Sequence, residues 1–129
     1  MLPFSLRKTN LVNDNTAFAL ELYRELARGD CNIFFSPLSI SLALAMTYAG
    51  ARQTTEKQMA KALHFTLPQE KLHPAFAQIL ADLDAVQASG DCTLSLANAL
   101  WPLEDYVFLP EFLQICQEEA EKMGISVDR

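Results

Sequence analysis

The chain holds two histidines, His64 and His73, and three cysteines, Cys31, Cys92 and Cys116, so nucleophilic chemistry has few places to start. A catalytic triad needs a Ser or Cys, a His and an acid drawn together. His64 sits in Leu63-His64-Phe65 at a predicted helix end and reads as a surface or capping residue. His73 precedes Pro74 and reads as the N-terminal flank of a helix. Neither belongs to an H-E-x-x-H pattern, so no metal site is expected. The cysteines are odd in number, widely spaced and free of C-x-x-C, which suggests neither a disulfide framework nor a zinc ribbon. Cys92 and Cys116 fall on predicted apolar faces and read as small buried hydrophobes. No G-x-G-x-x-G or Walker-type loop occurs, so nucleotide phosphates have no cradle. Glu118, Glu119 and Glu121 read as a solvated helix face, and Glu104 with Asp105 as turn residues. The expectation is a protein without catalysis, metal or cofactor.

Charge and composition narrow the class further. With 10 Lys+Arg against 16 Asp+Glu the net charge is −6, and a nucleic-acid partner is not expected because phosphate binding needs a basic face. Half of the 129 residues are apolar and 20% are charged, which describes one collapsed domain at most. The longest apolar stretch, 38–49, is interrupted by Ser41 and Thr47 and falls short of the ~20 residues a bilayer helix needs, so no membrane span is expected. The opening MLPFSLRKTN places Arg7 and Lys8 after its apolar residues, the reverse of a secretory leader. The chain therefore reads as leaderless and cytoplasmic, in keeping with unpaired cysteines.

The elements that must position these residues follow from periodicity. Residues 11–28 read as a helix, with Phe18, Leu22 and Leu26 recurring every four positions beside Leu11 and Ala19. Asn10 or Asn13 would cap it, Glu21 and Glu25 would pair with Arg24 and Arg28, and Gly29 would stop it. Residues 32–35 read as a short buried strand. Ser36-Pro37 opens a second helix, the hydroxyl capping free amides and the proline fitting a position where a missing N–H costs nothing. Its large apolar residues, Leu38, Ile40, Leu42, Leu44, Met46 and Tyr48, cannot share one face, so it needs cover on several sides. Between them Ser39, Ser41, Ala43, Ala45, Ala49 and Gly50 are small and admit a close neighbour. Thr55-Glu56-Lys57-Gln58 has the form of a capping box, opening a third helix through Met59 and Leu63. A fourth carries Leu72, Phe76, Ile79, Leu80, Leu83 and Val86, with Pro74 in its first turn and Gly90 at its close. From 92 to 101 the period becomes two, as in a strand, and Asn98 falls on the apolar side, where an unpaired amide costs ~1–3 kcal/mol. Pro102 and Glu104-Asp105 turn the chain. A last helix opens at Pro110 with Phe112, Ile115, Cys116, Ala120 and Met123 on one face, before Gly124 and a strand-like 125–129. One long strand and two stubs cannot pair among themselves, so the sequence describes part of a fold.

The stretch NIFFSPLSISLALAMTYAGARQTTEKQMAKALHF resembles the helix-B and helix-C region of the serpins, a family of serine protease inhibitors. LSLANALW followed by FLPEFL resembles their second strand of sheet A and helix E. The likeness runs in order from about residue 11 to 123 and includes the specific N-x-F-x-S-P-x-S-I element. It implies an α+β fold in which 1–129 is the N-terminal part of a single serpin domain: helices A to E, one sheet-A strand and short strand stubs. It also implies a mechanism without catalysis, in which an exposed loop baits a protease, is cleaved, and inserts into sheet A while the enzyme stays trapped as an acyl complex. The reactive loop has no residues here. Ser36, Ser39 and Asn98 match the family's shutter positions, and Pro37, Ala43, Ala45 and Gly50 match the close packing of helix B. The last residues depart from the family, with Lys122-Met123-Gly124 in place of a tyrosine-glycine step and Val127-Asp128-Arg129 in place of V-D-F.

From the resemblance, the completed protein is expected to inhibit serine-type endopeptidases, with cysteine-type ones as a further class. Its partners would be the target protease and the remaining C-terminal serpin segment, and this chain alone is expected not to inhibit. The alternative is a truncated or non-inhibitory product that acts as a binding module by pairing 93–100 with a partner's strand. Some serpins bind heparin through a basic helix D, but here Lys71 stands against Glu70, Asp82 and Asp84, a face that should repel sulfated sugar. The uncovered faces of the second helix and of 92–101 predict self-association of the isolated chain.

Overall fold

A computed structural model describes residues 4–90, 92–99, 101, 103 and 105–122. Leu100, Pro102, Glu104, Met123, Gly124 and 125–129, which fall in segments read above, lie outside the described residues, as do the side chains of Glu119 and Lys122. Among the described residues five helices follow one another: α1 (Phe4–Leu26), α2 (Pro37–Gly50), α3 (Gln53–Ala62), α4 (Gln69–Ala88) and α5 (Pro110–Lys122). No described helix is long and apolar enough to cross a membrane.

The second helix is the centre. α2 packs against α1, α3, α4 and α5, as its all-round apolarity demands. Ser41, Leu42, Ala45, Met46, Tyr48 and Ala49 are buried on it, while Leu44 is exposed. Around α2 the core gathers Leu11 and Phe18 of α1, Leu63, Phe65 and Leu67 of the α3–α4 connection, and Leu72 and Phe76 of α4. The Phe65 ring lies 5.3 Å from Tyr48 and meets Phe76 edge-on at 5.9 Å, an arrangement aromatic quadrupoles favour.

Helix ends differ from the sequence expectation, and each difference has a local cause. α1 begins at Phe4, so Asn10 and Asn13 lie inside it and cap nothing. The added length is tied to α4 by a 2.6 Å ion pair between Lys8 and Asp82. Glu25 does pair with Arg28, at 2.8 Å, but Glu21 turns instead to His64. α3 starts at Gln53, and the Thr55–Gln58 capping box does not form. Arg52 donates from Nη1 to the carbonyls of Ala49 and Ala51, both at 2.8 Å, which closes the turn after α2 before Thr55 is reached. Gln53 then holds a φ of 54°, a left-handed value that suits glycine better.

α4 opens at Gln69, so Pro74 falls in its second turn and His73 is buried within the helix instead of flanking it. Proline this close to the N-terminus removes a single helical hydrogen bond, a small loss beside the burial of Leu72 and Phe76. Val86, placed above on the apolar stripe, is exposed because the stripe outruns its cover at the far end of α4.

Among the described residues no strand is paired. Residues 32–35 and 92–99 run without regular structure, since a strand needs a neighbour to take its amide and carbonyl groups and none lies beside them. Leu94 is exposed, and so is Cys92, which corrects its reading as a buried hydrophobe. The architecture described is therefore helical, with the strand component of the expected α+β fold present as sequence pattern alone.

Candidate functional site

The start of α2 is built by a serine pair. Ser36 is extended (φ −109°, ψ 103°), and its Oγ accepts the Ser39 N–H at 3.3 Å while donating its own hydrogen to Ser39 Oγ at 3.1 Å. Pro37 occupies the first turn, where its preset φ favours the helix. Asn98 is half-buried on the 92–99 segment, and no hydrogen bond among the described residues joins it to Ser36 or Ser39. The structure thus joins by hydrogen bonds two of the three residues expected for a shutter, Ser36 and Ser39.

Further along α2, Ala43 is half-buried and Ala45 fully buried. Gly50 stands hard against α5: a Cβ there would run into the Phe112 ring. Absence of a side chain at Gly50 is therefore a condition for this contact. Cys116 on α5 is half-buried, and its thiol faces the Met46 carbonyl of α2 at 3.7 Å. Burial pushes that thiol's pKa up, which disfavours the thiolate a nucleophile needs.

Two buried polar anchors went unread in the sequence. Ser41, fully buried, donates to Asn15 Oδ1 at 2.9 Å and so joins α2 to α1. Asp14 accepts the Thr66 amide at 3.0 Å and the Thr66 hydroxyl at 2.7 Å, fixing the α3–α4 connection to α1. The signal was available: Asp14 stands three residues after Leu11 and four before Phe18, on the very stripe those residues bury.

His64 ends α3 in a left-handed conformation, φ 58°, and pairs with Glu21 of α1. His73 lies buried within α4. Among the described residues no three His, Cys, Asp or Glu side chains converge as metal ligands. An open groove of about 480 Å³ runs between α1 and α3, lined by Phe18, Glu21, Leu22, Glu25, Gln58 and Lys61. On α4, Asp82 is held below the usual carboxylate range by its bonds to Lys8 and Gln78, and Asp84 is exposed. On α5, Glu118 and Glu121 are exposed and accept bonds from Gln114 and Gln117 one turn earlier. Among the described residues this arrangement offers packing and capping.

Comparison with known proteins gives the arrangement its context. Residues 13–128 match the family described as serpin (serine protease inhibitor). The chain is 46% identical over 116 residues to the leukocyte elastase inhibitor of Sus scrofa, covering 88% of this chain and 30% of that protein. Against the leukocyte elastase inhibitor of Homo sapiens it is 42% identical over 120 residues, 92% of this chain and 31% of the other. The Xenopus tropicalis protein of the same name is 37% identical over 112 residues, 85% and 29% of the two chains. The chain therefore spans about three tenths of the length of the curated relatives it matches.

Proposed function

Because the chain belongs to the serpin family, we propose that the complete protein to which it contributes inhibits a serine-type endopeptidase by cleavage and insertion of a reactive loop, with cysteine-type proteases as a further target class. The observation that carries this reading is the unbroken family match over 13–128, with elastase inhibitors among the relatives. The share contributed by this stretch is mechanical. A serine pair caps the central helix, and small residues along that helix let neighbours sit close and slide. Asn98 completes the shutter only when 92–99 is held in a sheet, which needs strands from the rest of the domain. Alone, the 129 residues lack the bait and do not inhibit. The three free cysteines suit a reducing compartment, which favours a cytoplasmic site of action.

The test is reconstitution. The chain is mixed with a C-terminal segment that completes the domain, pancreatic or leukocyte elastase is added, and the products are run on a denaturing gel. An SDS-resistant adduct from the mixture and none from either part is the expected result. An adduct formed by the 129 residues alone would refute the proposal. The unpaired 92–99 segment favours a second reading, a module that lends this strand to a partner's sheet edge. That reading predicts a stable complex with no protease adduct in any mixture.

A further inference from the structure

α1 ends at Leu26, and the chain leaves it through a turn in which the Ala27 N–H donates to the Tyr23 carbonyl at 2.8 Å. The next three residues are Arg28, Gly29 and Asp30, and all three are exposed. Gly29 has open space where a side chain would stand, with nothing within 4 Å. The Arg28 side chain is 75% exposed and pairs with Glu25, in a surface ion pair of the kind that adds little stability and is easily exchanged. Among the described residues no hydrogen bond or ion pair engages the Asp30 side chain. From Ala27 to Ser36 the chain has no helix, so the tripeptide stands on an arm between α1 and α2, where binding residues are commonly carried.

A guanidinium and a carboxylate two residues apart, Cα atoms at most about 7 Å from one another, form a compact two-headed ligand. A carboxylate with no internal partner can join the coordination shell of a divalent cation that keeps an open position. A guanidinium released from a weak pair can fork onto an acidic group. We infer that Arg28-Gly29-Asp30 is a recognition tripeptide for a cation-dependent adhesion receptor, one that takes Asp30 through a bound divalent cation and Arg28 through a carboxylate. The interaction is independent of protease inhibition and operates only on protein that has left the reducing compartment, since such receptors present their sites outside the cell.

The test immobilises the soluble ectodomain of an Arg-Gly-Asp-binding integrin and passes the 129-residue chain over it in millimolar Mg²⁺, with Cys31→Ser to prevent thiol cross-linking. Saturable binding is expected, competed by a short linear Arg-Gly-Asp peptide and lost in EDTA. Asp30→Glu keeps the charge but displaces the carboxylate, and should weaken binding at least about tenfold, or 1.4 kcal/mol. Equal binding by Asp30→Glu, persistence in EDTA, or no saturable binding by the unaltered chain overturns the inference. Far-UV circular dichroism of the variant, matched to the parent, assigns the loss to the tripeptide. Asp30→Glu should also leave adduct formation in the reconstitution above unchanged, so failure of one proposal is distinguishable from failure of the other.

Discussion

At the scale of single residues the tightest constraint is Gly50, because the Phe112 ring fills the space its side chain would take. Gly50→Ala forces either α5 outward or the ring off its rotamer, and overpacking of this kind costs about 1–3 kcal/mol. Urea denaturation should register that loss, and Phe112→Leu in the same background should recover part of it. An unchanged midpoint for Gly50→Ala would mean that α5 does not rest on α2. Two further groups bear on the alkaline side of the stability profile. Burial raises the Cys116 thiol, and burial followed by the Glu56 carboxylate raises the Tyr48 phenol. Both are neutral in the fold and ionise more readily once unfolded. Their stability contribution is therefore complete below the ordinary thiol and phenol values, and fades as pH climbs through the raised ones. Melting temperature should decline from about pH 9 upward, and Cys116→Ser should flatten the first part of that decline. With a disulfide reagent at pH 8, Cys31 and Cys92 should react well before Cys116.

At the scale of elements, the order and number of helices were legible in the sequence, and so was the start of α2, because Ser36-Pro37 encodes its own cap. Ser36→Ala should destabilise the chain by about 0.5–2 kcal/mol, and Ser36→Asp should restore most of it by capping the same amide. Denaturation of the two variants side by side separates capping from any role in strand sliding, which Asp would not rescue. What the sequence hid were the ends set by contacts distant in the chain. α1 reaches back to Phe4 because Lys8 meets Asp82, and α3 opens early because Arg52 bonds back to the carbonyls of Ala49 and Ala51. Neither partner is visible to a local capping rule. Asp14 is half an exception: its place on the stripe of Leu11 and Phe18 marks it for burial, but its partner Thr66, whose amide and hydroxyl it accepts, lies 52 residues away, beyond any local rule. Asp14→Ala should leave the Thr66 amide without its acceptor and cost about 1–3 kcal/mol. Hydrogen exchange at Thr66 should accelerate with it, while exchange in α5 should stay as in the parent. Of the residues expected for a shutter, Ser36 and Ser39 could be read from one helix end, whereas the setting of Asn98 depends on a paired strand that the described residues do not supply.

At the scale of the whole molecule, the helices close a core yet leave large apolar groups uncovered. Trp101 and Val107 are at least 90% exposed, Leu103 and Leu109 about 70%, and Phe34 is entirely so. Most of these follow the unpaired 92–99 segment, so open backbone groups and bare apolar side chains occur together, a combination that draws in other chains. The isolated chain should accordingly associate, with sedimentation velocity showing larger species as concentration rises and Trp101 emission moving to the blue as the indole leaves water. Val107→Lys with Leu109→Glu places charge within this exposed strip and should return the chain toward monomer without altering the α1–α4 core, because both side chains lie mostly in water. A C-terminal serpin segment should suppress the same association by occupying the same surface, and the charged pair should then weaken reconstitution. If the unaltered chain stays monomeric at every concentration with Trp101 fully hydrated, the strip attracts nothing, and the case for a missing cover over 92–109 fails with it.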